Sequence, residues 1–149
     1  MHKAPGRPRV VLAFDFGQKR IGFASGDTLT RTAAPRGTFA NSPSGPDWPG
    51  IDREIRLLAP DLLVVGAPYN DDGTPGRMEG LASAFALELA QRYGLQVERM
   101  NEGYSSTEAG SLLREQRASG QRRRQVRKGD VDSAAAAVIL ESWLGAQVT

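Results

Sequence analysis

The stretch "RVVLAFDFGQKRIGFASGD", residues 9–27, decides the fold. Residues 10–16 are apolar except for one carboxylate, Asp15. "GQK" then supplies a glycine-bearing turn, and residues 20–25 return as a second strand. A strand so nearly apolar belongs at the centre of a sheet, buried on both faces. A carboxylate inside it is costly unless something pairs with it. Asp15 therefore asks for a partner, and the remaining sequence is read for one.

Residues 32–39 form a plausible third strand, with Pro35 favouring an edge position. "ANSPSGPDWPG" is a connection rich in turn formers. Ile51, Ile55 and Leu58 recur at helical spacing over residues 51–59, and Pro60 and Asp61 stop that helix. Residues 62–66 are a continuous apolar strand, followed by the loop "APYNDDGTPG". A long helix with Leu81, Phe85 and Leu89 on one face comes next, then an alternating strand over residues 95–101. Ser105 or Ser106 caps a helix carrying Leu112 and Leu113. The last helix begins near Val131, with Ala135, Ile139 and Trp143 on one stripe. Three strands with short links favour an antiparallel meander, and strands reached through helices favour parallel pairing. The expected fold is α/β, a mixed five-stranded sheet in the order 3-2-1-4-5 flanked by helices. Residues 1–8 are expected to be a short mobile tail, and residues 9–149 one domain.

Composition excludes several chemistries. The 149 residues contain no cysteine, and the one histidine, His2, lies in the basic N-terminal stretch. Disulfides, thiolate sites and a Ser-His-Asp triad are thereby set aside. No apolar run approaches the roughly 18 residues of a membrane span, and the N-terminus lacks a signal-peptide core. A cytoplasmic location is the default expectation. Net charge is +2, but residues 114–128, "REQRASGQRRRQVRK", hold seven basic residues and one acid. One segment makes the chain basic while the remainder is net acidic. A polyanion is the natural partner of such a segment.

The carboxyl ends of parallel strands are where open α/β sheets build sites. Asp15 stands near that end of the first strand, and Glu102 just beyond that of the fifth. Asp132 opens the last helix, which can face the same edge. Three converging carboxylates repel unless they hold cations or protons. With no soft ligands available, Mg²⁺ or Mn²⁺ is the natural resolution. A pair of such ions about 4 Å apart activates water and stabilises the leaving oxygen of a phosphodiester. Each residue also has an ordinary structural role open to it. Asp15 is placed to form an Asx turn, Glu102 to be a plain loop acid, and Asp132 to complement a helix dipole. Asp130 reads as the N-cap, Asp71 and Asp72 as turn residues, and Trp143 and Phe85 as core. Asp27, at the opposite edge, is excluded. Lys19 sits in the turn, where it is either a phosphate contact or simply exposed.

With these residues in place, the sequence resembles the YqgF family, also called RuvX, of RNase H-like proteins. That family is associated with pre-16S rRNA nuclease and Holliday junction resolvase activity. "AFDFGQKRIGFASGD" is similar to its DxGxKRIG-type strand pair, and "PDLLVVGAPYNDDGTPG" to its VVGLPxNxDG segment. "RKGDVDSAAAAVILESWL" is similar to its closing helix. The resemblance implies an RNase H-like fold, a Mg²⁺ or Mn²⁺ carboxylate site and a part in maturing the small-subunit ribosomal RNA. Its acidic residues fall on Asp15, Glu102 and Asp132. Nucleic-acid contacts are expected from Lys19, Arg20, Asn70, Arg122, Arg123, Arg124, Arg127 and Lys128. "NEGYSS", residues 101–106, departs from the family's DERLTT pattern. Asn101 replaces an acid and Gly103 an arginine, so a contact from that arginine must come from elsewhere.

The expected partner is structured RNA, with branched DNA as the alternative, and no membrane; a monomer or weak homodimer is expected. A Holliday junction resolvase would need a dimer presenting two sites. The hairpin also resembles the phosphate-binding hairpin of actin-like ATPases, but those pair two such domains and this chain has length for one. A non-catalytic RNA-binding protein retaining the fold is the third class.

Overall fold

The computed structural model describes residues 9–67, 76, 78–100 and 128–146, with side chains from Asp132 onward in the last segment. The elements run β1 (Val10–Phe16), β2 (Arg20–Asp27), β3 (Thr32–Ser42), β4 (Gly45–Pro46), α1 (Trp48–Leu58), β5 (Leu62–Gly66), α2 (Glu79–Tyr93), β6 (Gln96–Met100) and α3 (Lys128–Ala146). They form one sheet in the order β4-β3-β2-β1-β5-β6. β1, β2 and β3 pair antiparallel, and β1, β5 and β6 pair parallel. The expected mixed order is present, with β4 added as a sixth strand. β4 pairs only Gly45 and Pro46 with Ser42 and Asn41. A strand of two residues carries no periodicity that a sequence reading can detect.

β1 is central and buried on both faces, and its alternate residues feed two separate cores. Leu12, Phe14 and Phe16 join Ile21, Phe23, Phe39, Ile51 and Phe85 beneath α1 and α2. Val11 and Ala13 join Ala24, Val64, Ala136, Ile139, Leu140 and Trp143 beneath α3. The first core is aromatic: Phe14 meets Phe85 edge-on at 5.6 Å, and Phe23 stacks on Phe39 at 4.4 Å. The second is aliphatic, with Val11, Leu62 and Val64 beside the small positions Ala13 and Ala24, where α3 settles closely onto the strands. Phe85 and Trp143 are both core residues, as expected.

β1 is tied down at its start. The Asp61 carboxylate accepts from the backbone N–H of Arg9 at 2.9 Å and of Val10 at 2.8 Å. The Asp61 N–H donates in turn to the Val10 carbonyl at 2.7 Å. β3 carries a bulge opposite Phe23 and Ala24, with Arg36 as the extra residue. Pro35 sits beside it, opposite Ala24 of β2 and on the stretch of β3 that β4 does not cover. Asp47 caps α1 by accepting from the Gly50 N–H at 3.1 Å.

Four expectations need correction. Leu81 does not lie on the buried stripe of α2: Ala82, Phe85, Ala86 and Leu89 do. Leu81 flanks that stripe, is 58% exposed, and lines an open groove of about 350 Å³ with Pro46 and Met78. α3 starts at Lys128, three residues before the expected Val131, because the alanine run behind it sustains helix through Gly129. Asp130 is therefore inside the helix and not its N-cap, and Asp132 is in the second turn, not the first. The tail 1–8, the loop holding Asn70, Asp71 and Asp72, the helix expected around Leu112 and Leu113, and the basic run up to Arg127 lie outside the described residues.

Candidate active site

Asp15 is the next-to-last residue of β1 and points to the α3 face, in step with Val11 and Ala13. Its register partners are Gly22 on β2 and Gly66 on β5. The carboxylate is thus flanked on both sides by strand positions without side chains. This gap is where α3 comes closest. A Cβ on Gly22 would stand 2.0 Å from the carbonyl oxygen of Asp132, and one on Gly66 would stand 2.8 Å from Cδ1 of Ile139. At Gly22 a side chain would meet the helix backbone itself and force the helix to move, whereas at Gly66 it would displace the Ile139 side chain. The two glycines are the reason Asp132, 117 positions away in sequence, reaches Asp15.

Asp15 is 7% exposed, and its Oδ1 is buried with no hydrogen-bond partner among the described residues. Burial pushes its pKa up from 3.8 to about 7, and the neighbouring charge of Asp132 adds to that rise. Asp132 is itself held. Its Oδ2 accepts from Arg20 Nε at 2.6 Å, a short charge-assisted bond in a half-buried setting. Arg20 thus lies at the acidic pair, engaged with a carboxylate.

The turn between β1 and β2 is braced from β3. Asn41 donates its side-chain N–H to the Gly17 carbonyl at 2.7 Å, and its backbone N–H to the Lys19 carbonyl at 2.9 Å. The Gly17 N–H donates to the Arg20 carbonyl at 3.1 Å. Lys19 is exposed on this fixed turn. Asp27 lies at the far end of β2, as expected. It accepts from the Leu29 N–H at 2.7 Å and from Arg9 Nε at 3.2 Å. The Leu29 bond, with Arg9 and Thr30 adding to it, holds its carboxyl below the usual range.

Of the three expected carboxylates, Asp15 and Asp132 are therefore neighbours. Glu102 lies outside the described residues, as do Asn70, Arg122, Arg123, Arg124, Arg127 and the side chain of Lys128. Two buried or half-buried carboxylates, one with an oxygen that has no partner among the described residues, fit a hard divalent cation in donor type and charge. Sequence reasoning missed the glycine pair and the Arg20–Asp132 bond. Gly22 and Gly66 had a signal, being glycines at strand positions in step with Asp15. The Arg20–Asp132 bond, across 112 positions, had none.

The model of the family RuvX, described as Holliday junction resolvase, matches residues 9–146. A protein of Edwardsiella ictaluri named "Putative pre-16S rRNA nuclease" is 43% identical over 136 residues, covering 91% of this chain and 94% of its own. One of Nitrosococcus oceani with the same name is 40% identical over 147 residues, covering 98% and 93%. Among solved structures, T. thermophilus RuvC in complex with Holliday junction substrate aligns with a TM-score of 0.52 at 17% identity, covering 93% of this chain and 95% of that one. Fowlpox virus resolvase with its Holliday junction DNA gives 0.55 at 10%, covering 94% and 99%. At those identities the structural likeness speaks for the fold alone.

Proposed function

The chain belongs to the RuvX family, and from that premise we propose that it is a divalent-metal-dependent nuclease that hydrolyses phosphodiester bonds in the 5′ region of pre-16S rRNA. The observation that carries this reading is the buried oxygen of Asp15 beside Asp132, which has no hydrogen-bond partner among the described residues. A buried carboxylate without a bond is unfavourable for folding alone, and a cation satisfies it.

In this reading Asp15 and Asp132 hold Mg²⁺ or Mn²⁺, and Glu102 is a further ligand or orients the attacking water. The bound metal supplies an activated water and stabilises the leaving oxygen. Asp15, whose burial favours a proton up to about pH 7, would hold the metal as the carboxylate, so that binding would tighten as pH rises. Lys19, on its braced turn, contacts the phosphate backbone near the site. Asn70 and the basic residues Arg122, Arg123, Arg124, Arg127 and Lys128 hold the strand further out. A polyanion bound by several cations loses affinity steeply with salt. The reading includes a cytoplasmic place of action. Among the described residues, no helix is long and apolar enough to cross a membrane.

The test is a cleavage panel with Mn²⁺ and Mg²⁺ on structured RNA bearing the 5′ region of a 16S precursor, on single-stranded DNA and on a four-way junction. RNA cleavage is expected, and Asp15→Asn is expected to lower it roughly 10²-fold or more. Equal cutting by the variant, or no cutting of any substrate, defeats the reading. Preference for the junction would instead support a resolvase, the activity named in the family's description. RNA binding without cleavage, insensitive to Asp15→Asn, would indicate a binding protein that kept the fold.

A further inference from the structure

β2 presents Arg20, Gly22, Ala24 and Gly26 to α3 by strand alternation, and the first two meet the same residue of the helix. Gly22 accepts the backbone of Asp132 against the strand. Arg20, two residues earlier, binds its carboxylate through Nε. We propose that Arg20 is a positioning residue of the acidic site: it orients Asp132 for the metal and does not serve as a grip on the nucleic-acid backbone. The inference rests on the metal-site reading above.

Three observations support it. The bond runs from Nε, the guanidinium nitrogen nearest the main chain, to Oδ2 at 2.6 Å. A planar group held at that atom has little freedom to swing toward a ligand, unlike an ammonium on a flexible stem. Arg20 is half-buried at 35% side-chain exposure, whereas its neighbour Lys19 is exposed on the turn. Finally, Asp15 and Asp132 repel one another when both are ionised. A guanidinium on Asp132 offsets that repulsion before any cation arrives. It occupies one carboxylate oxygen and leaves the lone pairs of the other for a metal. Carboxylates that ligate metals depend on such bonds for their orientation.

The experiment is Mn²⁺ titration of the full chain without nucleic acid, by calorimetry, for wild type, Arg20→Gln and Arg20→Lys. RNA binding in EDTA across a salt series and steady-state cleavage run alongside. Arg20→Gln is expected to raise the Mn²⁺ Kd roughly 10- to 100-fold and to lower kcat with KM unchanged. Its RNA affinity in EDTA and the slope of that affinity with salt are expected to match wild type. Arg20→Lys keeps the charge without the planar Nε donor, and is expected to weaken Mn²⁺ binding by a smaller factor. If Arg20→Gln does not fold, the lysine variant carries the test, and wild-type Mn²⁺ binding by it overturns the inference. Wild-type Mn²⁺ binding by Arg20→Gln overturns it too. So does a salt slope reduced by about one, which identifies a phosphate contact. A wild-type chain that binds no Mn²⁺ sinks both this inference and the nuclease reading. Intact binding by the arginine variants sinks this inference alone.

Discussion

The two faces of the sheet are built from opposite materials. Toward α1 and α2 the strands offer Leu12, Phe14, Phe16, Ile21, Phe23 and Phe39. Toward α3 they offer the aliphatic Val11, Leu62 and Val64 and then, around the site, Ala13, Asp15, Gly22, Ala24, Gly26 and Gly66. The aromatic face buries large side chains, and apolar burial is worth about 25 cal/mol per Å². The small-residue face buries less per position but brings a helix backbone against a strand. Both faces stabilise the fold, but only the second, through its glycines, also brings together two carboxylates 117 positions apart.

Substitutions on the two faces should therefore fail in different ways. Phe14→Ala is the largest expected effect on stability. It removes a fully buried ring that touches Phe39 and Phe85, and should cost about 3–5 kcal/mol in denaturant melts. Cleavage per folded molecule should remain close to wild type. Gly22→Ala should cost less stability, about 1–3 kcal/mol from overpacking. Its activity loss should be far greater, on the order of 10²-fold, because an added Cβ drives Asp132 off its position. Equal activity losses in the two variants would erase the distinction between the faces.

The smallest effect has a sign that depends on pH. The folded Asp15 has a pKa of about 7 against 3.8 for the free side chain. Between those values the folded state holds more protons than the unfolded one, so stability falls as pH rises through that window. Asp15→Asn removes the penalty. Without metal at pH 8 it should be the more stable protein, on the order of 1–2 kcal/mol once burial of the amide is set against the gain. By pH 4 the gain should be gone, leaving only the burial cost of the amide, so that Asp15→Asn is then the less stable protein. Thermal melts at the two pH values in EDTA measure it, and a gain that persists unchanged at pH 4 would remove titration as its cause.

How far the sequence revealed this arrangement depends on how local each signal is. The central position of β1 was legible because an apolar run of seven residues can only be buried on both sides. Asp15 was legible for the same reason, as the one charge in that run. The stripe of α2 was misjudged at Leu81, because a helical period puts a flanking leucine only a step from the core. The start of α3 was misjudged because an aspartate after a glycine reads as the N-cap of a helix about to begin, whereas Asp130 already lies inside it. The bond from Arg20 to Asp132 was not legible, because its partner lies 112 positions along the chain. Charge pairs that close over such distances are made by topology, and no spacing rule announces them.

The clamp on the start of β1 bears on the site at its other end. A strand has a parity: sliding it by one residue exchanges its faces. If β1 slipped, Asp15 would enter the aromatic layer and Phe14 would meet the helix. Asp61 binds two successive N–H groups and returns a bond to Val10, so the strand has one address it can take. An aspartate at one end of β1 thus decides which side of the sheet the carboxylate at the other end serves.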